Sequence, residues 1–284
     1  MRVLSLFDGI SCARVGLERA GIPITSYTAY EIDKHAIAIA KKNYPDTIHH
    51  GDVRECKPSE NEYDLVIGGS PCQDLSIAKK GRKGLDGDRS GLFWEWVRVW
   101  KAAKPKWFVL ENVASMPKKD KDIITRELGV ESVMFNASLV SAQSRKRLFW
   151  SNIPFTLPED RGILLKDILE AEVDDTFYIK GEMKANGKTT GKVGYVGEGE
   201  QYGQGGQAHR VYSPDGKTPT MSSSPALVKN NERIRKLTPI ECERLQGLPD
   251  NYTEGVAMTH RYKCLGNAFN TDVVSHILSA VIPP

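Results

Sequence analysis

Three stretches of this 284-residue sequence carry side chains whose types and spacing could do chemistry. The first is Gly68-Gly69-Ser70-Pro71-Cys72-Gln73, which follows the apolar run Leu65-Val66-Ile67 and leads into the basic segment Lys79-Lys80-Gly81-Arg82-Lys83. A lone Cys is most often a small buried hydrophobe. Cys72 stands instead among loop-forming residues, and the cations after it could favour a thiolate and hold a polyanion. The second stretch is Glu111-Asn112, at the end of the run Lys106-Trp107-Phe108-Val109-Leu110, and the third is Gln143-Ser144-Arg145-Lys146-Arg147. Two further carboxylates, Glu31 and Asp52, each follow a short β-favouring run.

The elements that must position these groups alternate. Val3 to Phe7 reads as a strand, Asp8 to Ser11 as a tight turn, and Ala13 to Ala20 as a helix closed by Gly21. Ser26 to Glu31 is a second strand, Lys34 to Lys42 a helix, and Ile48 to His50 a strand closing on Gly51-Asp52. Glu31 lies 24 positions after Phe7, close to the roughly 20-residue offset at which a carboxylate in a βαβ unit receives ribose hydroxyls. The GxGxxG pattern for a pyrophosphate is missing, which favours a nucleoside ligand over a dinucleotide. Asp52 could accept a bond from an adenine amine, but on its own it is better read as a cap on the turn at Val53 to Glu55. Ser90 to Ala102 forms a helix whose aromatics mainly pack a core, and Lys119 to Leu128 another. Strands near Ser132 to Phe135 and Leu148 to Trp150 complete the pattern. Cys72 and Glu111 both stand where a strand gives way to its loop, so they can converge on one crevice. Strand alternation would put Arg145 and Arg147 on one face, away from Lys146.

From Asn152 to about Lys236 the periodicity fades, with only Leu164 to Ala171 looking helical. Regularity returns at Thr238-Pro239-Ile240-Glu241, a capping box with Pro at the first helical position, so a helix should run to Gln246 and stop at Gly247. After Cys264-Leu265-Gly266-Asn267-Ala268 a last amphipathic helix should reach Ile282.

Composition narrows the class. The chain is 40% hydrophobic and 26% charged, ordinary for a globular protein large enough to bury a sizeable core. Its five cysteines form no CxxC pair, and an odd count suits a reducing compartment; no metal site is indicated. With no signal-peptide pattern and no apolar stretch long enough to span a bilayer, an intracellular location without membrane attachment is expected. Net charge is +3. Residues 180–236 carry ten Lys/Arg against five Asp/Glu, and ten of the 25 glycines. A polar, cationic segment of this kind suits nucleic-acid phosphates as well as it suits a solvated loop.

Taken as a set, Phe7-Asp8-Gly9, Glu31, Gly51-Asp52, Pro71-Cys72-Gln73, Glu111-Asn112-Val113, Gln143-x-Arg145-x-Arg147 and Gly266-Asn267-Ala268 resemble, in order and spacing, the DNA (cytosine-5) methyltransferases. The sequence is similar to the animal Dnmt3-type enzymes in Phe7 to Ile10, Gly69 to Cys72, and Val140 to Ala142 with Phe149-Trp150. Its small size, Gln73 and the intact Gly266-Asn267-Ala268 look more like bacterial or phage modification enzymes.

The resemblance implies a Rossmann-like, α/β methyltransferase fold dependent on S-adenosylmethionine, with a small irregular target-recognition region. Residues 1–151 would bind cofactor and catalyse, 152–236 would recognise the target, and 237–284 would return to the catalytic domain. Cys72 would be the nucleophile, Glu111 the proton partner at N3, Arg147 the ligand of cytosine O2, and Arg145 its companion. Phe7, Asp8, Gly9, Glu31, Ile32, Asp52, Val53 and Asn267 would hold S-adenosylmethionine and its product S-adenosylhomocysteine. Ser76, Lys79, Lys80, Arg82 and Arg89 would touch DNA from a loop that closes over a flipped base, and Gln204, Gln207, His209 and Arg210 would contact bases or phosphates. Ser11-Cys12 depart from the family, many members of which carry further glycines there. Double-stranded DNA is the expected partner and a monomer the expected state, in the cytoplasm or nucleoid. Two other readings are methylation of transfer RNA, which one branch of the family performs with the same residues, and a non-catalytic partner of another methyltransferase. Such partners usually lose the Cys or the cofactor carboxylates, all of which are present here.

Overall fold

The computed structural model describes residues 1–71, 75, 84–87, 90–179, 183–189, 192–196, 210–221, 224–230 and 232–281. They form two compact units, the first made of residues 1–135, 146–157 and 273–284 and the second of 136–145 and 158–272. Residues 237–272 therefore group with the second unit, and 273–284 with the first.

The first unit runs β1 (Arg2–Leu6), α1 (Cys12–Arg19), β2 (Ser26–Tyr30), α2 (Lys34–Asn43), β3 (Ile48–His50), β4 (Leu65–Gly69), α3 (Phe93–Ala103), β5 (Trp107–Val113), α4 (Lys118–Leu128) and β6 (Ser132–Asn136). After β7 (Gln143–Ser144), which belongs to the second unit, it resumes at β8 (Lys146–Ser151). Its seven-stranded sheet has the order β3-β2-β1-β4-β5-β8-β6. Strands β1 to β5 pair in parallel, and β8 lies antiparallel to β5. Strands such as Leu65-Val66-Ile67 read as unbroken apolar runs because a parallel sheet is covered on both faces, and all three residues are fully buried.

From α3, Phe93 and Trp96 close over Leu4, Leu6, Val66 and Leu110 in the main core. Trp94 does not share in that packing and is exposed. On α1, a Cβ at Gly16 would lie 2.7 Å from the Val274 side chain, so glycine permits the close approach. Strand order reverses between β1 and β4, and the turns after both strands flank that switch point, where open α/β sheets bind ligands.

The second unit corrects the expectation of an irregular region. It holds a sheet of β9 (Met183–Thr189), β10 (Lys192–Val196), β11 (Arg210–Tyr212), β13 (Leu227–Asn230) and β14 (Arg233–Lys236), in the order β14-β13-β11-β10-β9. The two-residue β12 (Thr218–Pro219) pairs in parallel with β7. Met183–Thr189 reads MKANGKT, with no alternation of apolar residues to mark it as a strand.

The helix expected at Leu164 to Ala171 is only a 3-10 turn, Leu165–Asp167. The N–H groups of Leu165 and Lys166 donate to Gly216 O and Pro214 O, both at 2.8 Å, instead of entering a helical ladder. The capping box at Thr238 and Glu241 forms as read and starts α5 (Pro239–Leu245). Cys264 to Asn267 end α6 (Met258–Asn267), and the last helix, α7 (Thr271–Leu278), stops before Ile282, which lies outside the described residues. Among the described residues no helix is long and apolar enough to cross a membrane.

Candidate active site

The backbone after β1 turns sharply. Phe7, Gly9 and Ser11 have φ of 57°, 61° and 60°, left-handed values that cost a residue with a Cβ and persist only where the surroundings enforce them. Asp8 N–H donates to Tyr30 O at 3.1 Å, tying the turn to the end of β2. There Glu31 reaches back, its Oε2 accepting Gly9 N–H at 2.8 Å while Oε1 accepts the N–H groups of Ile32 and Asp33, both at 2.8 Å. A carboxylate has about four acceptor positions, so Glu31 keeps capacity for a further donor. The neighbouring Ile32 side chain is 72% exposed.

Asp8 faces the other way. Its Oδ2 accepts the Ser11 hydroxyl at 2.6 Å and its Oδ1 the Tyr27 hydroxyl at 2.7 Å, with all three residues buried. Asp52 is the cap that its position suggested, accepting Arg54 N–H at 2.9 Å and pairing with the Arg54 guanidinium, which together hold its pKa down at about 2. Val53 is buried in the main core, and its carbonyl accepts the Cys56 N–H at 3.0 Å. Arg98, on α3, fixes this turn by donating to Cys56 O at 2.7 Å and Val53 O at 3.1 Å. No spacing rule marks Arg98 or Tyr27, because each acts across a large sequence separation.

On the other side of the switch point, Glu111 and Arg147 meet on β5 and β8. Arg147 Nε lies 2.8 Å from Glu111 Oε1, with both side chains largely buried. Antiparallel register sets Arg147 opposite Val113 and Glu111 opposite Phe149, so the two are diagonal neighbours on one face. Next to Glu111, the fully buried Asn112 donates from Nδ2 to Ser70 Oγ at 3.0 Å, tying the end of β5 to the turn that leads to Cys72. Cys72 lies outside the described residues, as do Ser76, Lys79, Lys80, Arg82, Arg89, Gln204, Gln207 and His209.

Arg145 departs from the alternation expected of it. Residue 145 falls in the break between β7 and β8. Its buried guanidinium donates to Gly266 O at 3.3 Å and Ala268 O at 2.8 Å within the second unit. Arg145 thus bridges the carbonyls on either side of Asn267, whose exposed side chain ends α6. Arg210 opens β11 half-buried, its Nε buried and without a hydrogen-bond partner among the described residues.

A model of C-5 cytosine-specific DNA methylases matches residues 1–282. The type II methyltransferase M1.ScrFI of Lactococcus lactis subsp. cremoris is 29% identical, the match covering 99% of this chain and 78% of that protein. The type II methyltransferase M.HhaI of Haemophilus parahaemolyticus is 27% identical over 98% of this chain and 93% of its own. The solved structure of the methyltransferase EhMeth of Entamoeba histolytica superposes with a TM-score of 0.76 over 99% of this chain and 97% of its own, at 16% identity, which shows the shared fold. Matched along nearly its whole length, with the carboxylate and guanidinium brought together beside the Ser70 turn, the chain belongs to the C-5 cytosine-specific DNA methylases and is a DNA cytosine-5 methyltransferase.

Proposed function

We propose that the protein methylates C5 of a cytosine flipped out of duplex DNA, with Cys72 bonding transiently to C6. The observation that carries this reading is the Glu111–Arg147 pair at 2.8 Å, one residue from the Asn112 that holds Ser70. Cytosine C5 is a poor nucleophile, and addition of a thiolate at C6 turns the ring into an enamine with its electron density at C5. A free thiol is only a few per cent ionised at neutral pH, so addition needs electron flow into the ring. Glu111 sharing a proton with N3 supplies it, a contribution of about 10²–10⁴-fold for well-placed acid–base catalysis. Arg147 holds O2 and orients the base. Once C5 carries the methyl group, its proton passes to a base from solvent, the C5–H electron pair forms the C5–C6 double bond, and the C6–S electron pair leaves with sulfur, restoring the ring and the thiolate. Inside a duplex these atoms are out of reach, and flipping costs about a few kcal/mol.

S-adenosylmethionine, when bound, supplies an electrophilic methyl group, and the residues present fit it. The half-buried Phe7 ring and the exposed Ile32 offer apolar faces to an adenine, Glu31 has acceptor capacity left for a ribose hydroxyl, and Asp52 stays ionised as an acceptor. Asn267 is assigned to the methionine end. Ser76, Lys79, Lys80, Arg82 and Arg89 are assigned to phosphates, and Gln204, Gln207 and Arg210 to reading the target.

Bisulfite sequencing of plasmid DNA from cells expressing the protein tests activity and site together. In a radiolabelled methyl assay, duplex DNA should be modified and transfer RNA left unmodified; the reverse would make this an RNA enzyme. Cys72→Ala should abolish transfer while cofactor binding persists. Activity retained in that variant would overturn the covalent step.

A further inference from the structure

We infer that Asp8 is a positioning residue for the cofactor, acting through Ser11 and Tyr27 to shape the Phe7 to Ser11 turn rather than by touching the ligand. The inference rests on reading that turn as part of the cofactor site. Its carboxylate is turned inward, with Oδ2 taken by the Ser11 hydroxyl at 2.6 Å and Oδ1 by the Tyr27 hydroxyl at 2.7 Å. Burial pushes the Asp8 carboxyl above the ordinary range, while hydroxyls of Ser11, Ser5 and Tyr27 and the Arg14 charge act in the opposite direction. Arg14 also lies over the Tyr27 ring, 5.5 Å from its centroid.

The turn needs such an anchor. Phe7 and Ser11 both carry a Cβ in left-handed backbone, with φ of 57° and 60°, and strain of this kind holds only while neighbouring contacts enforce it. Ser11 N–H donates to Asp8 O at 3.2 Å, so the Asp8 backbone and side chain both bind Ser11 and close a small ring. Gly9, between them, gives its N–H to Glu31 Oε2 at 2.8 Å. Releasing Ser11 or Tyr27 from Asp8 therefore frees the turn, moves the Gly9 amide and loosens the carboxylate assigned to the ribose. Glu111, Arg147 and Asn112 hold their own bonds on β5 and β8 and are not touched.

Tyr27→Phe and Ser11→Ala each delete one donor and keep the packing. Both should weaken S-adenosylhomocysteine binding, measured by titration calorimetry, by about tenfold, as for a lost bond to a buried charge. KM for S-adenosylmethionine should rise equally, while kcat at saturating cofactor and KM for duplex DNA stay within about twofold. Asp8→Asn, which retains one acceptor oxygen, should lose less affinity than Asp8→Ala; if either fails to fold, the Tyr27 and Ser11 variants carry the test. Unchanged S-adenosylhomocysteine affinity in both donor deletions would overturn the inference, as would equal losses in both KM values or a fall in kcat. A parent protein that binds no S-adenosylhomocysteine would overturn the reading of the turn itself.

Discussion

Glu111 and Arg147 are held together across β5 and β8, Oε1 to Nε at 2.8 Å, although the strand register places each opposite another residue. Neither group is free in solvent, and a largely buried ion pair is by itself weak support for stability because desolvation offsets the attraction. The arrangement has another use. On the function proposed above, it would keep a carboxyl group and a planar donor at fixed separation on one face, for the adjacent N3 and O2 atoms of the base.

Glu111→Gln keeps the shape and removes the proton that the proposed mechanism assigns to this residue. Methyl transfer to duplex DNA in single-turnover assays should fall about 10²–10⁴-fold, with S-adenosylhomocysteine binding unchanged. Arg147→Lys should also lose activity, because an ammonium cannot reproduce the planar Nε–Oε1 contact.

Gly68 matters for close approach rather than chemistry. Paired with Leu6 in the β1–β4 ladder, it has no room for a side chain, since a Cβ there would lie 2.2 Å from Leu6 O. The clash is with backbone, so it cannot be relieved by rotating a side chain. Gly68→Ala should destabilise the protein by about 1–3 kcal/mol or more, seen as a lower Tm. It should also displace the ends of the two strands that lead to Phe7 and to Ser70.

Much of the first unit was legible because parallel strands buried on both faces leave unbroken apolar runs, and because Glu31 and Asp52 follow strand ends; Glu111, expected where β5 gives way to its loop, lies within that strand, which runs on to Val113. The cap role of Asp52 and the box at Thr238 and Glu241 were readable for a related reason, as both are local hydrogen-bond patterns. Alternation does not carry through Arg145, because it assumes an unbroken strand and the strand breaks at residue 145. The direction of the Asp8 side chain depends on Tyr27, 19 residues away, and the second unit's sheet depends on long-range pairing of short strands, three of which bring Val211, Leu227 and Ile234 into one small cluster. Neither leaves a mark in the sequence.

Arg235 and Glu241 form another buried ion pair, with both side chains 0% exposed and a bond of 2.7 Å at each guanidinium terminus. Glu241 also accepts the N–H groups of Thr238 at 2.8 Å and Glu170 at 2.9 Å. Arg235→Met should cost about 3–5 kcal/mol by leaving a carboxylate buried and unpaired. Combining it with Glu241→Leu should recover much of that loss but not the capping box, leaving a deficit of about 1 kcal/mol. Midpoints of chemical denaturation for the parent, single and double variants check the order.

His49 provides a pH dependence whose sign can be worked out. On β3, both ring nitrogens are buried without a hydrogen-bond partner among the described residues, and burial, with Lys41 and His50 nearby, lowers its pKa below 6.5. The native state then binds fewer protons than the unfolded chain between the lowered value and about 6.5. Its stabilising contribution is complete above about pH 6.5 and is lost as the pH falls through that window. The slope cannot exceed about 1.4 kcal/mol per pH unit, the limit for one proton, and solvent at the partly exposed ring keeps it lower. Carboxylates with lowered values, Asp52 at about 2 and Asp64 beside Arg2, lose their contributions only at more acid pH, so the histidine step stands apart. In thermal melts His49→Gln should therefore flatten the Tm profile just below about pH 6.5 and leave the steeper acid limb below about pH 4 in place.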